Sequence, residues 1–85
     1  MDPAELIARL GRREFDNVAF RDMQRLAEAL GYRLERVRGS HHMYRHPEVP
    51  IPMNVQPVRG QAKPYQLREL LRRSEQYHLR LEHEP

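Results

Sequence analysis

The residues best equipped for chemistry lie in one run, Gly39-Ser40-His41-His42-Met43-Tyr44-Arg45-His46-Pro47, which holds three of the chain's five histidines. Imidazole is the only side chain whose unperturbed pKa lies near neutrality, so it can accept and return a proton at physiological pH. His41 and His42 are the candidate proton-transfer groups. Arg38 and Arg45 flank them with guanidinium forks suited to an anion, Ser40 adds a hydroxyl, and Tyr44 adds a ring that could stack on a base. The same imidazoles also suit a solvated strand end, and residue type alone leaves both readings open. His46, held extended before Pro47, reads as a turn or capping residue. His42 and His46 share strand parity but are widely spaced, with no acidic neighbour before Glu48, so neither a metal nor another cofactor is expected.

The elements that must position these groups are legible from their spacing. Asp2-Pro3-Ala4-Glu5 reads as a capped helix start, Leu6, Ile7 and Leu10 as its inner face, and Gly11 as its end. Asp16 or Asn17 can cap a second helix. In it Phe20, Met23, Leu26, Ala27 and Leu30 form a buried stripe, and Gly31 closes it. Tyr32 to Arg38 is a strand, Gly39-Ser40 a turn, and His41 to His46 the returning strand of a hairpin. Period two puts His41, Met43 and Arg45 on one face and His42, Tyr44 and His46 on the other. Pro47, Pro50 and Pro52 then interrupt the ladder, leaving Met53-Asn54-Val55 as a brief third strand. Pro64 opens a third helix with Leu67, Leu70, Leu71 and Ser74 inside and Arg68, Arg72 and Arg73 outside. The tail from Tyr77 to Glu82 alternates at period two and is expected to add a strand here or to a partner. The order α-α-β-β-β-α implies an α+β two-layer sandwich, a three-stranded antiparallel sheet with helices on one face and the other face free.

Composition narrows the partners. At 85 residues the chain has room for one small core, and with 39% hydrophobic and 32% charged residues it lies above the composition of disordered chains. Cysteine is absent, which excludes a disulfide framework and a thiolate nucleophile. No apolar run reaches membrane-spanning length and the N-terminal residues lack the pattern of a secretion signal, so the expected location is cytoplasmic, away from membranes. Net charge is +3, and of 15 basic residues Lys63 is the only lysine. An arginine-rich surface favours an anionic partner, and Lys63 and Arg68 can follow a phosphate backbone near the helix N-terminus at Pro64.

A helix ending in Gly31-Tyr32, a strand, Gly39-Ser40-His41-His42 running to Pro47, a short strand, then Gly60 and Lys63-Pro64 before Leu67 and Leu70-Leu71 resembles the HicA toxins. These are small mRNA interferases of bacterial toxin–antitoxin pairs. The similarity runs from Phe20 to about Tyr77. It implies one domain over 1–85, with a family core at about 20–77, a helical extension at 1–15 and a tail at 78–85. The resemblance further implies a fold like double-stranded-RNA-binding domains, metal-independent cleavage of mRNA, and a HicB-like antitoxin partner. The catalytic residue it implies lies in the Gly-Ser-His segment, His41 first and His42 as the competitor.

Such cleavage uses the ribose 2′-hydroxyl as nucleophile, so it requires a base, an acid for the leaving oxygen and cations for the phosphoryl oxygens. The hairpin supplies these types. Two departures stand out: Asn54-Val55-Gln56-Pro57 occupies the place where family members often carry a Pro-His type motif, and both termini extend past the core. The extensions suggest added surface for a partner or a homodimer.

Overall fold

In the computed structural model, which describes residues 1–82, the first helix starts as its sequence requires. Helix α1 (Pro3–Gly11) is capped by Asp2, whose carboxylate accepts from the amides of Ala4 and Glu5 at 2.8 and 3.3 Å. Leu6 and Leu10 are fully buried. Gly11 does not end the helix by a left-handed turn. That conformation falls to Arg13, with φ 68°.

Helix α2 (Phe20–Ala29) buries the expected stripe, but Asp16 and Asn17 do not cap it. Its N-cap is Ala19, which has no side-chain bond to offer. The Phe20 amide donates instead to the Gly60 carbonyl at 2.9 Å, and the Ala62 amide to Val18 at 2.8 Å. A long-range backbone contact thus replaces the local cap, so no local signal marks this start. The other end follows local rules: Gly31 (φ +102°) sits in a Schellman turn, with Tyr32 N–H bonded to Ala27 O and Gly31 N–H to Glu28 O.

Three strands follow, β1 (Arg33–Arg38), β2 (His41–His46) and β3 (Val49–Val55), antiparallel in the order β1-β2-β3. Gly39, at φ +60°, makes the two-residue turn that sets Arg38 opposite His41. The third strand is longer than its prolines suggest. Pro50 and Pro52 lie within β3, which is an edge strand and can leave their missing donors facing away from the ladder. Its register shifts between Tyr44 and His46, where the proline-rich stretch bulges.

Helix α3 (Pro64–Gln76) buries Leu67, Leu70, Leu71 and Ser74 as expected, together with Gln66, which accepts from the Gln56 amide. Arg73 is the exception to the outward arginine face. Its side chain is only 11% exposed and it donates to the carbonyls of Ile51 and Pro52, at 2.6 and 3.3 Å, groups that the interrupted edge of β3 leaves unpaired. The tail does not form a strand. Leu79 and Leu81 pack on the core by alternation alone, and Glu82 N–H bonds to Ala29 O. The apolar side chains of both extensions thus lie against the chain's own core, and residues 83–85 of the expected tail are outside the described residues.

The result is an α+β sandwich of two layers, consistent with the architecture of double-stranded-RNA-binding domains. Tyr44, Met53 and Val55 face the helices, and His41 and Arg45 face away from them. Among the described residues no helix is long and apolar enough to cross a membrane.

The junction of α3 and β3 gives a pH-dependent prediction. Hydrogen bonds from Arg72 and then Arg73 hold the Glu69 carboxyl below its ordinary value of 4.5, against a smaller opposing effect of burial. Because the folded-state pKa is the lower one, Glu69 contributes stability fully above the unfolded carboxylate range and loses it as pH falls through the folded value. The urea midpoint of Glu69→Gln should therefore decline less with acid than that of the parent chain. Parallel decline of the two would show that the pair does not couple to folding.

Candidate nucleic-acid interface

The hairpin β1-β2 sorts the two adjacent imidazoles onto opposite faces. His42 is half-buried on the helical side, edge-on to Phe20 at 4.9 Å between ring centroids, with Nδ1 donating to the Ser40 carbonyl at 2.9 Å. His41 is exposed on the free face. There it lines a cavity of about 170 Å³ with Arg36, Arg38, Met43 and Asn54. Cross-strand pairing explains the grouping, since Arg38 lies opposite His41, Arg36 opposite Met43, and Met43 opposite Asn54.

The Asn54 side chain sets the chemistry of that ring. Its Oδ1 lies 3.4 Å from His41 Nδ1, and an amide oxygen only accepts, so the neutral ring carries its proton on Nδ1. Nε2 is left with a lone pair. The arrangement places one basic nitrogen beside two guanidinium groups, Arg36 and Arg38, neither of which has an acidic partner among the described residues. Arg45 shares the face but is neutralised by Glu35, whose two oxygens both lie 2.9 Å from its Nε.

Ser40 Oγ, at the tip of the hairpin, bonds to Gln56 Oε1 at 3.0 Å, joining that tip to the loop that leads into α3. Lys63 is the N-cap residue of α3 and lines a separate, larger recess with Arg59, Asp16 and Asn17. Arg68 lies over the Phe15 ring at 5.1 Å, on the helical layer. Tyr44 requires correction: it is fully buried, its hydroxyl accepts from Gln24 at 3.1 Å, and burial pushes its pKa up. A ring with no exposed face cannot stack on a base. Neither do three His, Asp or Glu side chains converge to hold a metal ion among the described residues.

Sequence reasoning passed over Arg36, Met43 and Asn54. Arg36 could have been found by carrying period two back through the turn, which pairs it with Met43. Asn54 depends on the register of β3, hidden by the prolines before it.

The uncovered sheet of this basic sandwich thus presents an imidazole and two guanidinium groups together. A family model described as HicA toxin of bacterial toxin-antitoxin matches residues 20–76, more than half of the chain. The chain belongs to the HicA toxin family. Membership gives it the role of a toxin and implies an antitoxin partner. Searches of curated proteins and of solved structures found no match.

Proposed function

We propose that the chain is a metal-independent endoribonuclease that cleaves mRNA through His41 and is held in check by a HicB-like antitoxin. The observation that carries this reading is the exposed His41 ring, its Nε2 left basic by Asn54, beside Arg36 and Arg38 on the free sheet face. His41 Nε2 takes the 2′-hydroxyl proton as that oxygen attacks phosphorus. The bond from phosphorus to the 5′-oxygen breaks, and the departing oxygen takes a proton from the solvent that this open face admits. Arg36 and Arg38 offset the charge that builds on the phosphoryl oxygens. Asn54 acts as a positioning residue through the His41 ring. Ser40 contributes at the hairpin tip and Arg45 extends the same face, whereas Lys63, in a separate recess, and Arg68, on the helical layer, lie off the path of the backbone.

Incubation of mRNA with the chain and a chelator tests the reading. It should yield fragments ending in 2′,3′-cyclic phosphate. Intact RNA after long incubation, with tight salt-sensitive association, would instead identify a binding module that does not cut.

The arginines carry a separate prediction. Each phosphate contact on a single strand contributes about −0.7 to the slope of log affinity against log salt. Arg36→Gln and Arg38→Gln should each make that slope shallower by about this amount, whereas Arg45→Gln should change it less because Glu35 already offsets its charge. Equal slopes for all three would mean that the phosphate path lies elsewhere.

A further inference from the structure

Strand β1 is the least covered element of the chain. All six of its residues are exposed, and β2 pairs with only one of its edges. Arg38 and His41 flank a two-residue turn and exchange backbone hydrogen bonds, so the main chain of Arg38 and Arg36 faces β2 and that of Val37 faces outward. From Arg36 to Arg38 the outer edge is therefore open. A register shift between Leu34 and Arg36 interrupts the alternation at Glu35, and on either side of it Leu34 and Val37, 44% and 51% exposed, lie on the helical side, with Arg33, Arg36 and Arg38 on the free face. An exposed edge with this much apolar area invites pairing with another chain.

We propose that the outer edge of β1 accepts an extended segment of the antitoxin partner as a fourth strand, one that alternates apolar with acidic side chains. Apolar residues of that segment cover Leu34 and Val37, and its carboxylates lie over Arg36 and Arg38. A second copy fits less well: antiparallel self-pairing that sets Leu34 on Val37 puts Glu35 opposite Arg36 but also Arg33 directly opposite Arg38, each twice by symmetry, and leaves Arg38 without the carboxylate that an acidic segment supplies. RNA would engage the arginines but has nothing to offer Leu34, Val37 or the outward backbone groups of Val37. An acidic strand satisfies all three. It would also occupy the two guanidinium groups beside His41, so docking at this edge and phosphate binding on the free face exclude each other. That last consequence rests on the proposed nuclease function, whereas the docking itself does not.

The test uses the full chain and a blocked seven-residue peptide alternating glutamate with valine, followed by backbone NMR and amide hydrogen exchange. The expected result is slowed exchange at the Val37 amide on adding peptide. Binding should be lost when alternate peptide amides are N-methylated, a change that leaves charge intact and removes the ladder. Val37→Pro, which deletes an outward donor at an edge position where proline is tolerated, should weaken binding at least tenfold. Should that variant fail to fold, Leu34→Ser with Val37→Ser carries the same expectation.

Equal binding of the N-methylated peptide would overturn the proposal by showing that charge alone attracts it. Protection of the Val37 amide without peptide, rising with chain concentration, would assign the edge to a second copy, and equal protection by a single-stranded oligonucleotide would assign it to RNA. A chain that binds the peptide but leaves RNA intact would sink the nuclease reading and leave this one standing.

Discussion

Replacing His41 by alanine is expected to lower the single-turnover rate of RNA cleavage by about 10²–10⁴, the range that one positioned acid–base group supplies. RNA affinity and folding should be preserved. The ring is exposed, so its loss leaves no cavity, and Arg36 and Arg38 remain in place to hold the backbone. His42→Ala should do the opposite. It removes an edge contact with Phe20 and a hydrogen bond to the Ser40 carbonyl, together about 1–2 kcal/mol of stability. Cleavage per folded molecule should stay close to that of the parent chain. Rapid-quench kinetics on both variants, with urea midpoints measured alongside, separates the roles. Full cleavage by His41→Ala with none by His42→Ala would move the chemistry to the helical side of the sheet and sink the assignment. Asn54→Leu supplies an intermediate case, since it keeps the volume and removes the acceptor that orients the His41 ring.

The hairpin shows how far residue order alone reaches into this site. Period two separated His41 from His42 correctly, because alternation is a property of any strand. Which of the two faces was open could not be read, because that depends on where the helices pack, and the decisive contacts, Phe20 on His42 and Gln24 on Tyr44, join residues about twenty positions apart. The helical stripes of α2 and α3 and the glycine that ends α2 were legible since each answers to local geometry. The start of α2 was not, because a backbone bond to Gly60 replaces a cap. Proline-based reasoning cut β3 short by treating Pro50 and Pro52 as ladder breaks, although an edge strand needs donors on one side only. That error hid Asn54 from the site and Arg73 from the core. Both consequences follow from the same stretch of backbone.

Gly31→Ala is expected to destabilise the fold by about 2–6 kcal/mol, adding backbone strain of roughly 1–3 kcal/mol to overpacking of similar size. Gly31 has φ +102°, where an L side chain is strained, and an added Cβ would lie 2.6 Å from His46 Nε2 and 3.0 Å from a Glu82 carboxylate oxygen. Glu82 can swing away. His46 cannot without loss, because Nε2 donates to the Leu30 carbonyl at 2.8 Å, Nδ1 accepts from the Glu48 amide at 3.0 Å, and the ring lies edge-on to Tyr32. Urea denaturation should show a lowered midpoint with little change in slope. The double variant Gly31→Ala with His46→Ala should be more stable than the sum of the single losses predicts, since removing the ring relieves the contact while the backbone strain stays. Strict additivity would show that the close approach does not matter. The contact bears on the site as well as on stability. Strand β2 is pinned to the helical layer at one end by His46 on Leu30 and at the other by His42 on Phe20, and that double anchorage keeps the opposite face of the strand, with His41, turned toward solvent. Loosening the His46 end should therefore reduce RNA cleavage as well as stability, and adding stabilising osmolyte to Gly31→Ala should recover both together.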